Sequence, residues 1–437
     1  MRRGTFLALC ALVPALTATI LLIPRLKPVP RLHAYVGLEL VLSALMFGAW
    51  AAWPEETGSR RCALASGVAA RLIAAVTPAF PSTDTARYLW DGHVALAGID
   101  PYRVVPNVAR ALVAPWPSWA YAGDIPTIYP PGSLLLFAIA AAFGRALAAW
   151  VWKLLVLAAS LELLALIDWT LRTEKLERHL PLVALSPLLV LEGGVGGHVD
   201  VFSALAVAAT IWWLSRGRSA RAGAALGLGV LAKLLPGLLW FPLGLSPGRR
   251  CASRFSRGFI AAVAGGFGIA WLLGFHPPGS LFIFLKRWPN ASPLFAGATA
   301  LWSRAGANWA AGATALVAGA AGVWMARRGL HIEGAIVTLS GPLLAGPVLF
   351  PWYALPLVPL AALRPSAWAL GFITTVLLLY EFEAGLEQAI HWSLPSWPLW
   401  AIAMAVAAGL AIDGLSRRQP PASWLTTPRH SSPREAS

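Results

Sequence analysis

Residues 5–24 read TFLALCALVPALTATILLIP, twenty positions without a charged side chain. A helix crosses the hydrocarbon core of a bilayer with about 20 mostly apolar residues, so this stretch is long enough to span. Arg2 and Arg3 precede it, which also suits a secretory signal. The run is long and lacks an A-x-A cleavage pattern, so an uncleaved first span is expected. Comparable runs follow one another as far as 397–414. The chain is 58% hydrophobic and only 12% charged, with a mean hydropathy of +0.66, about half the charge of a soluble domain. The pattern predicts an all-α polytopic helical bundle of about 11–14 spans. Residues 1–415 are expected to form one membrane domain and 416–437 a disordered polar tail.

The net charge of +15 suggests nucleic-acid binding at first sight, but its distribution argues against it. Basic residues cluster at 216–221, 249–257 and 327–328, between apolar runs, as in loops that orient spans and meet anionic lipid headgroups. No basic stripe interleaved with stacking aromatics accompanies them, so no nucleic-acid partner is expected. Cys10, Cys62 and Cys251 lie in or beside apolar segments and form neither a disulfide framework nor a metal site.

Three apolar segments are irregular. Segment 180–193 is short, 222–245 is interrupted at Lys233-Leu-Leu-Pro236, and 334–363 is broken by Gly341-Pro342, Gly346-Pro347 and Pro351. Non-helical backbone at membrane depth persists only where protein or a wet cavity satisfies it. Two polar insertions, about 78–130 and 276–307, are expected to be outer loops, the smaller carrying Lys286, Arg287, Trp288, Asn290 and Trp302. Their aromatics suit helices lying in the interface plane.

The densest polar stretch is PSTDTARYLWDGH, residues 81–93. On a helix Asp84, Arg87, Tyr88 and Asp91 share one face by i, i+3, i+4 spacing. A partly desolvated carboxylate there can accept a hydroxyl proton. The same residues also read as a capped interfacial helix with an Asp-Arg pair. In EGGVGGHVD, residues 192–200, a glycine-rich turn presents His198 and Asp200 at a helix start. It reads equally as a tight helical hairpin. Lys233 is an intramembrane cation that needs an anionic partner, either a phosphate, Asp200 or Glu192; snorkelling to the interface is the alternative. Phe350-Pro351-Trp352-Tyr353 alone reads as aromatic-belt anchoring. No P-loop, HExxH, GxSxG or CxxC pair is present.

Taken in order, RYLWDGHVALAGIDPYR (87–103), IYPPG (128–132), LEGGVGGHVDVF (191–202), GLGVLAKLLPGLL (227–239) and FPWYALPL (350–357) resemble integral-membrane glycosyltransferases of the GT-C fold. The chain is similar to the bacterial polyprenol-phosphomannose-dependent mannosyltransferases, the family-87-like group. The resemblance covers roughly 60–365. It implies a polyprenyl-phosphate-sugar donor, an extracytoplasmic reaction centre in the cell membrane and inverting transfer. The family's outer-loop acid falls on Asp84 and the neighbouring acid on Asp91. Its Gly-His-x-Asp turn falls on His198 and Asp200, and its lysine on Lys233. Phe350 stands where relatives often carry histidine, and Thr83-Asp84 where many carry two adjacent acids.

These implications predict transfer of a hexose, mannose first, to a lipid-linked or polysaccharide acceptor. Asp84 or Asp91 would be the base, and Lys233, Arg87 and Arg103 the candidate cations for the departing phosphate. Tyr88, Trp352 and Tyr353 are further candidate substrate contacts. A divalent metal stays open as a cofactor through Asp84 and Asp91 or His198 and Asp200, although neither pair suffices alone. The competing class is a transporter or lipid flippase gated by the broken helices, which predicts internal two-fold symmetry.

Overall fold

The computed structural model describes residues 2–56, 58–116, 123–245, 249–287, 292–380 and 396–415. Trp288, Asn290 and the tail 416–437 lie outside the described residues, as does the side chain of Arg287. Among the described residues every regular element is helical. The first half contains α1 (Arg2–Thr17), α2 (Pro28–Ala51), α3 (Gly58–Val76), α4 (Asp84–Leu96), α5 (Pro131–Ala141) and α6 (Gly144–Thr173). A π-helix, Leu188–Gly196, separates these from α7 (Asp200–Ser215), α8 (Ser219–Ala232) and α9 (Arg249–Leu272). The chain continues with α10 (Arg304–Arg327), α11 (His331–Ala345), α12 (Ala367–Thr375) and α13 (Ser396–Leu415).

Seven helical stretches among the described residues are long and apolar enough to cross a bilayer, and five shorter apolar helices accompany them. The chain is a multi-pass, all-α membrane protein. Its spans differ in their surroundings. The apolar stretch of Glu177–Gly196 is 94% buried by protein, against 11% for Cys251–Leu272 and 17% for Arg304–Arg327. The first is therefore a central element and the other two face outward.

Lipid tails are as apolar as leucine, so helices in a bilayer associate through close packing and hydrogen bonds. On α8, a Cβ at Gly223 would overlap the Phe255 carbonyl of α9, so that crossing depends on a missing side chain. On α3, Arg71 is 1% exposed and donates to the carbonyls of Val183 and Ala184 at 2.9 and 2.6 Å and to Ser160 Oγ at 2.9 Å. It thereby satisfies irregular backbone just before the π-helix.

The three irregular segments are broken in the structure. Gly197 is left-handed (φ 65°) after the π-helix, a conformation open to glycine. Lys233 is extended after α8, and Gly346 is extended after α11. The larger insertion differs from the interfacial helix its aromatics suggest. Tyr88, Trp90, Asp91 and Val94 of α4 are buried, and Gly92 packs on the Phe137–Ala138 backbone of α5. Protein rather than lipid covers this helix. The smaller insertion is tied to the larger by His276 Nδ1 to Asp100 Oδ2 at 2.7 Å and by the Ser280 hydroxyl donating to the Pro126 carbonyl at 2.5 Å.

Candidate active site

Asp84 opens α4. The Ser82 hydroxyl accepts its backbone N–H at 3.1 Å, and a carboxylate in a first turn complements the helix dipole. One turn on, the Tyr88 hydroxyl donates to Asp84 Oδ2 at 3.3 Å. Tyr88 is fully buried, stacked on Phe137 (4.5 Å between ring centroids) and edge-on to Tyr129 (5.1 Å). This arm of the site is therefore rigid.

The glycine-rich turn brings His198 to Asp84. Its carbonyls are held from three sides: Lys153 donates to Gly194 and Val195, Trp152 to Gly197 and Thr85 to Gly196. His198 is fully buried, with Nδ1 3.7 Å from Asp84 Oδ2 and Nε2 3.3 Å from Glu192 Oε2. Its ring stacks on Trp352 at 3.8 Å, and Trp352 stacks on Phe350 at 4.6 Å. Trp352 is 3% exposed, so the aromatic-belt reading of this residue does not hold. Hydropathy cannot distinguish an indole facing lipid from one facing an imidazole.

The third arm is cationic. Lys233 Nζ donates to Asp200 Oδ2 at 3.0 Å, and lies 4.7 Å from the Tyr353 ring centroid and 5.5 Å from that of Tyr129. Of its candidate protein partners, Asp200 is the one engaged. Both residues line a cavity of about 340 Å³. Leu234, Leu281, Phe284, Leu285 and Leu343 supply its apolar lining, and Tyr129, Asp200, Lys233 and Tyr353 its polar groups.

Asp84 carries a half-buried carboxylate, 31% exposed at the side chain. Burial pushes its pKa up, but His198 contact and charge, the Lys233 charge and the Tyr88 hydroxyl outweigh that and hold it below the ordinary value. Asp91 behaves oppositely. Burial raises it above the ordinary value, against the lowering effect of the Arg87 guanidinium.

The structure thus joins Asp84, Tyr88, His198, Asp200, Lys233, Trp352 and Tyr353 in one cluster. Arg87 and Asp91 pair with each other at 2.9 Å, and Arg87 also donates to the Ile125 carbonyl. Arg103 lies apart, 65% exposed and 3.9 Å from Asp100. Sequence reasoning assigned no site role to Tyr35, Glu39 or Lys153, and offered Glu192 only as a partner for Lys233. Glu39 and Lys153 did carry a signal, an isolated charge inside a span. Among the described residues no three His, Cys, Asp or Glu side chains form a metal-holding group, so no step below is routed through a metal.

No curated protein matches the chain. The sequence profile of glycosyltransferase family 87 matches residues 127–349, just over half of the 437. The match contains the glycine-rich turn, Lys233 and most of the apolar cavity, and begins downstream of Asp84. The chain belongs to glycosyltransferase family 87 and is a membrane glycosyltransferase.

Proposed function

We propose that this glycosyltransferase transfers a hexose, mannose in the first instance, from a polyprenyl-phosphate donor to a lipid-linked or polysaccharide acceptor. The reaction runs at the extracytoplasmic face of the cell membrane and inverts the anomeric centre. The observation that supports this reading is the largely apolar cavity that Lys233 helps to line. Its leucine and phenylalanine side chains suit an isoprenoid chain and its lysine suits a phosphate, a combination that a soluble nucleotide-sugar does not need.

In the proposed step the acceptor hydroxyl oxygen attacks the anomeric carbon from the face opposite the phosphate. Its proton passes to Asp84, the glycosidic bond forms, and the bond from the anomeric carbon to the phosphate oxygen breaks. Polyprenyl phosphate leaves with its charge met by Lys233, which Asp200 aims. A well-placed donor of this kind is worth about 3 kcal/mol in the transition state. Asp84 suits the base role because it is held as a carboxylate and is half-exposed at the start of a fixed helix. Arg87 and Asp91 serve as a structural pair that seats α4.

The test is product analysis by mass spectrometry, with the full chain in vesicles and a panel of polyprenyl-phosphate sugars. The expected result is an inverted glycoside on a lipid or glycan acceptor, formed by the wild type and lost in Asp84→Asn. Use of a nucleotide-sugar donor, or movement of lipid across the vesicle without a new glycosidic bond, would overturn the reading.

A further inference from the structure

Behind His198 lies a second carboxylate that the proposed step does not use. Glu192 is fully buried in the central π-helix. The Tyr35 hydroxyl donates to its Oε1 at 3.0 Å and the Tyr380 hydroxyl to its Oε2 at 2.5 Å. The two phenol rings meet edge to face at 5.2 Å, so both donors are themselves fixed. Glu39, fully buried one turn after Tyr35 on α2, also faces Glu192. Lys153 holds the next turn through the carbonyls of Gly194 and Val195. A carboxylate at this depth is costly and in membrane proteins usually serves function.

Glu192 Oε2, which accepts from Tyr380, also lies 3.3 Å from His198 Nε2. The Trp352 stack fixes the plane of the imidazole but leaves a half-turn flip open. Only the groups at its two nitrogens, Glu192 at Nε2 and Asp84 at Nδ1, decide that flip. Neither contact has full hydrogen-bond geometry here, and both ring nitrogens are buried without another partner. Catalytic contacts are often long before substrate binds.

We propose that Glu192 is a positioning residue, anchored by Tyr35 and Tyr380, that holds His198 in the ring orientation presenting Nδ1 to Asp84. The inference rests on the reading above for the role of Asp84 as base. Replacing the Glu192 carboxyl by an amide alters the rear anchor of the imidazole. The groups facing Asp84 are then His198 in either orientation, Tyr88, and the Lys233–Asp200 pair.

The experiment compares Glu192→Gln and Tyr380→Phe with the wild type, as full chains in lipid. The first readout is the ¹⁵N resonances of the His198 ring, identified by their loss in His198→Gln. They are expected to shift in Glu192→Gln and, to a smaller extent, in Tyr380→Phe. The second readout is transfer kinetics. For Glu192→Gln, kcat is expected to fall about 100-fold while the donor KM stays within about twofold. The rate is also expected to drop on going from about pH 7.5 to about pH 5, where the wild type stays flat. Unchanged His198 resonances, or an equal loss at every pH, overturn the proposal and leave Glu192 a packing residue. If the wild type transfers no polyprenyl-phosphate sugar, the donor reading falls while the resonances still decide the positioning role. If Glu192→Gln does not fold, Tyr380→Phe carries both readouts, with about a 5-fold fall in kcat expected.

Discussion

Asp84 and Asp91 lie seven residues apart on α4, and each makes one i, i+4 contact, Asp84 with Tyr88 and Asp91 with Arg87. In sequence they are near equivalents. In the fold Asp91 is 2% exposed at its side chain and faces a guanidinium at 2.9 Å. Asp84 is 31% exposed, faces an imidazole, and feels the charge of a lysine that lines an apolar cavity. A carboxylate becomes a plausible base through what is left open around it. Its residue type and helical register are shared with a neighbour that is paired and closed off from solvent.

The comparison is broken most sharply by Asp84→Asn. Transfer is expected to fall on the order of 10³-fold while the thermal midpoint moves less than in Asp91→Asn. Lys233→Met comes next, with a loss of about 10²-fold in kcat/KM, measured with the donor that the wild type uses. Asp91→Asn is expected to do the reverse of Asp84→Asn. Removing the anion opposite a buried guanidinium costs about 3 kcal/mol of stability, whereas the rate per folded molecule stays within about threefold. Thermal denaturation and active-enzyme counting separate the two effects.

A smaller effect concerns pH. The Asp84 pKa is depressed in the fold, so its contribution to stability is present above the unfolded carboxyl value and lost only as pH falls through the lower folded value. The same sign applies to the base. The acid limb of kcat/KM should lie below the ordinary aspartate value of about 4, and a limb above that value would contradict the environment described for Asp84. Last, His276→Gln removes the Asp100 latch between the two insertions. We expect a rate change of about twofold and faster hydrogen exchange around residues 99–104.

Much of this organisation was legible in the sequence. The spans follow from runs such as 5–24, and the breaks from glycine and proline at 193–198, 233–236 and 346–351. Both contacts on α4 follow from i, i+4 spacing. Convergence in space was less legible. Tyr35 and Tyr380 are 345 positions apart, yet their rings touch and both donate to Glu192, and no local pattern announces such a contact. The motif around Trp352 taken alone reads as an anchor, because a tryptophan beside a span has the same hydropathy whether it faces headgroups or His198; only the family resemblance puts it at the site. The burial of α4 was missed for a related reason. Its aromatics suit an interface, and only the α5 surface below Gly92 reveals that protein occupies that side.

The apolar cavity has a consequence for how such an enzyme is supplied. If the donor is the polyprenyl phosphate proposed above, it never leaves the bilayer and arrives by lateral diffusion in two dimensions. Saturation is then set by the mole fraction of donor among the surrounding lipids rather than by its amount per volume of water. Diluting the same quantity of donor with inert phospholipid should slow turnover, whereas enlarging the aqueous phase should not.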